Sequence, residues 1–467
     1  MSRNVRFSWT DLGKRYIYLS HWMVISVLYC LGRGGAVHQG PLYAVSHVSS
    51  VARRSVPKKQ AQLCGHLGML RTQCIIERNC SMDRQLIARL QRAPELGPEM
   101  VIFSGGTAFN DTARRLKHLT HHTTHLLTPF DSGGSSASLR KAFNMPAVGD
   151  LRSRLMALAD ETLSGHQAVV KLFQARIPKT IDAPVLEILM RGLTGGSDRL
   201  LTQIEEPIAS MVMRLLHRFF ESAPADFDYR GASLGNLVLT GAYLDHHCRM
   251  DPTASLFSRL VKARGTARLS VETNLHLGAV LENGETVIGQ HHMTGKEAAP
   301  LVSPIREIFI NRGLERVSKT RVVARQKVRQ AIRNSELVVF AQGSFYTSLA
   351  ANLLPAGVGS TIAESSSPKV WVPNLGEDPE QLGMTVEAAL RTLVATIQRD
   401  QPHADPRDCV THVLFDRSST YRGGIPEVLL AHWGIQPVAA ALVGTESTRY
   451  CPDRLSAMLC MLALEMR

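Results

Sequence analysis

Residues 100–111, MVIFSGGTAFND, constrain this chain more than any other stretch. Four consecutive apolar residues, Met100, Val101, Ile102 and Phe103, predict a short strand buried on both faces of a parallel sheet. Ser104, Gly105, Gly106 and Thr107 then predict a tight turn, with Asn110 or Asp111 capping a helix that runs to about Leu119. A strand, a glycine turn and a helix start aim backbone N–H groups at an anion, so Gly105, Gly106 and Thr107 are expected to bind phosphate. No Walker lysine follows and no full G-x-G-x-x-G is present, which excludes P-loop chemistry.

Two further loops of similar character follow within about 50 residues. Residues 125–130 predict a second strand, with Asp131, Ser132, Gly133, Gly134, Ser135 and Ser136 at its carboxyl end. Gly149, Asp150, Leu151 and Arg152 open a helix whose inward face is Leu151, Leu155, Leu158 and Ala159. In open α/β sheets, ligands lie across the carboxyl ends of strands. Asp131 there is a metal ligand, a hydroxyl acceptor, or the cap of its own turn. Ser135 and Ser136 offer hydroxyls and N–H groups to phosphate, and Arg140 and Arg152 can neutralise it. Asp150 reads equally as a helix cap or a ligand contact, and Arg152 equally as a solvated helix residue.

The rest of the chain alternates helix and strand signals. Residues 160–230 carry helical spacing and predict a lid or insertion. Residues 269–289 predict a hairpin, and residues 337–340, 369–374, 410–415 and 438–443 predict further strands. The pattern implies an α/β class, Rossmann-like, with a mostly parallel sheet, flanking helices and a helical insertion.

Charge enters because it is uneven. Residues 1–98 hold 14 Lys+Arg against 4 Asp+Glu; the totals of 53 and 40 leave 39 against 36 for residues 99–467. The net +13 therefore belongs mostly to the head, and nucleic-acid binding by the body is not expected. The charge-free stretch at 16–31 is shorter than a bilayer span; an interfacial or signal-like segment, a targeting leader, and residues outside any fold all remain open. The head, 1–98, is expected to be poorly structured and outside the fold, with Met69, Met82 or Met100 able to begin a complete body. No confident membrane association follows. Eight scattered cysteines without C-x-x-C spacing fit reduced thiols in a cytoplasmic protein. His118, His121, His122 and His125 lack zinc spacing, and His246–His247 and His291–His292 read as surface histidines. No G-x-S-x-G elbow surrounds Ser233 or Ser344, which argues against a hydrolase triad.

The segments FSGGTAFND, PFDSGGSSASLR, PAVGDLRSRLMALAD, GASLGNLVLTG, AQGSFYTSLAANLL and KVWVPNL, in this order, resemble the CofD-like family over roughly residues 95–467. That family includes 2-phospho-L-lactate transferase and the YvcK-type proteins, and Gly149-Asp150-Leu151-Arg152 is more similar to the YvcK branch. The resemblance implies a Rossmann-like core, a GDP-linked ligand or a UDP-sugar, Mg²⁺ in the transferase, and a homo-oligomer. It assigns to the ligand Gly105, Gly106, Thr107, Asp131, Gly133, Gly134, Ser135, Ser136, Asp150, Arg152, Asn236, Gly343, Ser344 and Tyr346. Asp131 would hold metal or acceptor and Arg152 would offset charge in transfer.

The chain departs from the family at four places, the first being Gly106-Thr107-Ala108 where the family often has Gly-Thr-Gly. Paired aspartates become Asp131-Ser132, an acidic pair becomes Thr273-Asn274, and a Gly-Pro-Gly-Ser loop becomes Ala341-Gln342-Gly343-Ser344. Two functions follow as expectations: an enzyme of the phospholactate-transferase type, or a non-catalytic UDP-sugar-binding regulator of carbon metabolism or cell-wall synthesis. Depleted carboxylates favour the second.

Overall fold

The computed structural model describes residues 84–162, 164–295, 298–444 and 448–465, without the side chains of 164–166. Expectations for residues 1–83, including the stretch at 16–31, lie outside the described residues. Residues 84–98 do not share the expected disorder of the head. Residues 84–92 form helix α1, because Leu86, Ile87 and Leu90 recur on one side and pack into the core beneath the sheet.

The chain then runs β1 (Met100–Phe103), α2 (Asn110–Leu116), β2 (Thr123–Leu127), α3 (Gly134–Phe143) and α4 (Gly149–Leu158). Five helices follow without a strand: α5 (Ser164–Gln174), α6 (Ala183–Thr194), α7 (Ile208–Ser222), α8 (Leu234–Asp245) and α9 (Met250–Leu260). Next come β3 (Thr266–Leu269), β4 (His276–Leu281), β5 (Thr286–Ile288), β6 (Ile305–Asn311), α10 (Gln326–Asn334) and β7 (Leu337–Phe340). Helix α11 (Phe345–Ala350, continued by Ala351–Leu353) leads to α12 (Val358–Glu364), β8 (Lys369–Trp371) and α13 (Val386–Gln398). The last elements are β9 (His412–Asp416), α14 (Glu427–Trp433), β10 (Gln436–Ala440) and α15 (Pro452–Glu465).

Among the described residues, seven strands form one sheet in the order β10-β9-β8-β7-β1-β2-β3, every pair parallel. The chain builds outward from β1 to β3 and then returns to the other side of β1 at β7. The order therefore reverses between β1 and β7, the place where open α/β sheets leave a crevice. Strands β5-β4-β6 make a separate antiparallel sheet.

The central strands are apolar throughout because both faces are covered. Met100, Ile102, Leu337 and Val339 pack with α2 and α15. Val101, Phe103, Val338 and Phe340 point the other way, into a cluster shared with β4 and β6. The expected hairpin at 269–289 starts late: Leu269 closes the parallel edge strand β3, and pairing with β5 covers Gly278 to Val280 of β4. Arg268 masks β3 in the sequence; its guanidinium pairs with Asp251 at 2.6 Å.

The 160–230 insertion is not a separate layer. Helices α5 to α7 share one apolar cluster with α3, α4, α8 and α9, and Phe173 stacks on Phe257 with centroids 4.2 Å apart. A Cβ on Gly241 of α8 would lie 1.9 Å from the Leu215 carbonyl oxygen, so α7 and α8 touch backbone to backbone.

Candidate functional site

The glycine turn after β1 sits under the rim rather than on it. Gly105 and Gly106 are buried, and Thr107 and Ala108 are the exposed part of the loop. A Cβ on Gly105 would lie 2.2 Å from Ser348 Oγ, and one on Gly106 would lie 1.9 Å from Asp150 Oδ1. Glycine is required at both because neighbouring elements press onto the turn. Helix α4 braces it: Ser153 Oγ donates to the Gly106 carbonyl at 3.4 Å, and Asn110 Nδ2 donates to Ser153 Oγ at 2.8 Å.

The β2 flank of the rim gathers three helix starts. Ser136 Oγ and Asp131 Oδ2 lie 2.9 and 3.4 Å from where a Cβ on Gly149 would be, which brings the start of α3 onto the start of α4. Asn236, in the first turn of α8, donates from Nδ2 to Ser135 Oγ at 3.4 Å. None of α3, α4 and α8 has a cap from the side chain of its N-cap residue; in α8 the Leu234 and Asn236 N–H groups donate to the Ala175 and Ser233 carbonyls at 3.0 and 2.9 Å. Arg152 donates from Nε to Asn236 Oδ1 at 2.9 Å and from Nη1 to the Phe173 carbonyl at 3.0 Å. Burial lowers its pKa to about 10, with Arg176 acting in the same direction and Asp150 opposing, so it stays charged at neutral pH. Arg176 reaches the same place, with Nη1 3.4 Å from Ser135 Oγ. Asp131 Oδ1 accepts the Gly133 N–H at 3.1 Å, and Gly134 has a positive φ of 50°.

The β7 flank is arranged differently. Gly343, at φ 141°, donates its N–H to Asn374 Oδ1 and accepts from Asn374 Nδ2, both at 2.8 Å. The first N–H groups of α11 are already taken: Phe345 donates to Asp378 Oδ2 at 2.7 Å, and Tyr346 and Thr347 donate to Glu380 Oε2 at 3.0 and 2.8 Å. Burial first, and Asp378 second, raise the Glu380 pKa to about 7. Tyr346 is turned into the core, where its hydroxyl donates to the Ile305 carbonyl at 3.0 Å, so it does not line the rim. A crevice of about 720 Å³ opens here, lined by Thr107, Asn110, Gln342, Gly343, Ser344 and Arg449. Across the 374–379 segment lies a cavity of about 950 Å³ lined by Trp371, Pro373, Met384, Tyr421 and Arg422.

Gly106, Asp131, Ser135, Ser136, Asp150, Arg152 and Asn236 thus meet on one flank of β1, while Thr107, Gly343 and Ser344 border the crevice on the other. Arg140 is not a phosphate arm. It is buried and holds Asn274 Oδ1 at 3.0 and 2.8 Å and the Leu275 carbonyl at 2.6 Å. Asn274 therefore serves Arg140, and Ser132 Oγ lies 2.7 Å from His291 Nδ1. Sequence reasoning missed Ser153, Arg154, Arg176, Asn374, Glu380 and His291. The signal for Arg154 was in view, a charge among apolar positions of a helix, but the others are found only through distant partners. Among the described residues, no group of three or more His, Cys, Asp or Glu side chains could hold a metal ion. No described helix is long and apolar enough to cross a membrane.

Comparison with known proteins places the chain in a family and its fold beside a solved structure. Residues 100–425 match the family model described as 2-phospho-L-lactate transferase CofD. A "putative gluconeogenesis factor" of Nostoc is 28% identical over 300 residues, covering 64% of this chain and 52% of that protein. This chain thus spans about half the length of the Nostoc relative. A "gluconeogenesis factor" of Bacillus subtilis is 26% identical over 289 residues, 60% of this chain and 69% of that protein. A crystal structure of a Bacillus halodurans protein of the upf0052 family shares the fold, with TM-score 0.58 and 20% identity over 78% of this chain and 98% of that one.

Proposed function

Because the chain belongs to the CofD family, we propose that it binds a small group carried on a nucleoside diphosphate, GDP-linked or a UDP-sugar, with the diphosphate on the β2 flank. The observation that carries this reading is the meeting of three helix starts without side-chain caps around Ser135, with Arg152 and Arg176 beside them. Helix starts without a side-chain cap, with two guanidiniums beside them, suit an anion. The crevice bordered by Thr107, Gly343 and Ser344 would take the remainder of the ligand.

Magnesium, implied by the transferase branch, is held by one or two carboxylates together with phosphate oxygens and water. Asp131 fits that role only with the diphosphate in place, since the described residues offer no metal site of their own; the ion would neutralise phosphate charge. Binding without bond cleavage is favoured over phospholactate transfer. Positions 132 and 274, where the family resemblance expects carboxylates, carry a serine engaged with His291 and an asparagine engaged with Arg140. A nucleotide-linked ligand and four free thiols among the described residues fit a cytosolic setting.

The test is calorimetry and thermal melting of the full chain with GDP, UDP and UDP-N-acetylglucosamine, with and without Mg²⁺, followed by ³¹P NMR of the bound ligand. At 100 times Kd, stabilisation of about 2.7 kcal/mol is expected, with an unchanged phosphorus spectrum. Stabilisation by none of these overturns the reading; a changing spectrum overturns the non-catalytic part alone.

A further inference from the structure

Two acceptors in the crevice on the β7 flank find no donor within the protein. Asn110, the first residue of α2, is only 7% exposed; its Nδ2 donates to Ser153 Oγ at 2.8 Å, and its Oδ1 has no partner. Gln342, half-buried on the turn after β7, likewise holds its Oε1 buried and without a partner. Both residues line the crevice of about 720 Å³. They come together because β1 and β7 pair with Phe103 beside Phe340, and the turns that follow the two strands touch. A Cβ on Gly343 would lie 3.3 Å from Ala108 Cβ.

Neither amide is loosely held. Ser153 Oγ gives its proton to the Gly106 carbonyl and accepts from Asn110, which fixes Nδ2 on the α4 side and leaves Oδ1 as the free end of the amide. The turn that carries Gln342 is pinned by Asn374, which bonds both the N–H and the carbonyl of Gly343. A buried acceptor without a donor is destabilising, so two of them in a fixed frame on one crevice call for donors from a ligand. The lining narrows the class of that ligand. The one aromatic ring among the lining residues is Tyr450, itself buried with its hydroxyl on the Pro373 carbonyl at 2.8 Å, so little ring face is offered to a base. Thr107 and Ser344 add hydroxyls that can donate or accept. Sugar hydroxyls meet such a polar, acceptor-bearing wall without needing to stack.

We propose that this crevice is the subsite for a polyhydroxylated group, the sugar carried on the diphosphate, and that Asn110 Oδ1 and Gln342 Oε1 accept hydrogen bonds from its hydroxyls. This rests on the reading that a nucleoside diphosphate binds on the β2 flank, and it assigns the carried group to the other side of β1. Gln342 then selects for the sugar and leaves the diphosphate untouched.

The test is calorimetric titration of the full-length protein and of Gln342→Leu with inorganic pyrophosphate, with UDP and UDP-glucose, and with GDP and GDP-mannose. Wild type should bind the sugar-bearing member of one pair about three- to tenfold more tightly than its sugar-free partner, the worth of one or two neutral hydrogen bonds. Gln342→Leu keeps the bulk and removes the acceptor. It should lose most of that preference, with pyrophosphate and the sugar-free nucleotide within about twofold of wild type. Its melting point without ligand should be equal or higher, because an unpaired buried acceptor has gone. Should the leucine variant not fold, Gln342→Glu and Gln342→Ala decide: the glutamate, which keeps an acceptor, should retain the sugar preference, and the alanine should lose it. A Leu or Ala variant with undiminished preference, a Glu variant that loses it with them, or a loss shared equally by the sugar-free nucleotide overturns the subsite and leaves the ligand reading intact. So does a wild type that binds the nucleotides without preferring the sugar. A wild type that binds none of these compounds overturns both.

Discussion

The two flanks of β1 use the same materials to opposite ends. On the β7 side, α11 begins with its N–H groups closed by protein carboxylates, Asp378 and Glu380. On the β2 side, α3, α4 and α8 begin without a cap from their N-cap side chains, and one carboxylate, Asp131 on the Gly133 N–H, stands there among cationic and amide side chains. A helix start with an internal anion is a structural joint, and one without it is a place for an external anion. Sequence cannot separate the two kinds, because Ser-Gly-Gly and Gln-Gly-Ser look equally suited to phosphate.

The largest expected effect tests the closed flank. Glu380 has a folded pKa of about 7 against an ordinary value of 4.5. The folded state therefore holds a proton that the unfolded state has lost between those values. Its contribution to stability is fully present below about pH 4.5 and is lost as pH rises through about 7. The difference is about 3 kcal/mol, at about 1.36 kcal/mol for each pH unit between the two values. Urea unfolding of the wild type between pH 5 and pH 8 should show this decline, and Glu380→Gln should flatten it. Pyrophosphate affinity should not follow the same curve; if it does, the two flanks are not independent.

Next in size, Arg152→Ala should weaken pyrophosphate binding about 100-fold in calorimetry, while Ser344→Ala on the β7 side should change it less than about threefold. Equal losses would erase the distinction between the flanks. The smallest effect concerns Asp131. Removing its charge in Asp131→Asn should remove any Mg²⁺ dependence of diphosphate binding and, without metal, tighten pyrophosphate about threefold by relieving repulsion. Unchanged Mg²⁺ dependence would exclude Asp131 as a metal contact.

Much of the scaffold was legible in the sequence because central parallel strands are short apolar runs, and MVIF, LVVF and KVW announce themselves. Strand β3 was not, since TARL carries an arginine that only Asp251, 17 positions earlier, explains. The glycine turn was recognised by its spacing, but one reason for its glycines was not legible: Ser348 and Asp150 crowd Gly105 and Gly106. Tyr346 followed the family pattern by neighbourhood alone; its ring lies in the core beside Phe345 and its hydroxyl donates to the Ile305 carbonyl. Glu380 was invisible because its meaning lies in distant partners at Tyr346 and Thr347 and in a burial that no local pattern reports.

The contact at Gly241 joins mechanics to recognition. Where two backbones meet without side chains between them, there is nothing soft to absorb a shift. Helix α8 carries Asn236 in its first turn, so the backbone contact with α7 and the amide that holds Arg152 belong to one helix. A push on the outside of that helical block would reach Asn236, about one and a half helical turns away, and through it Arg152.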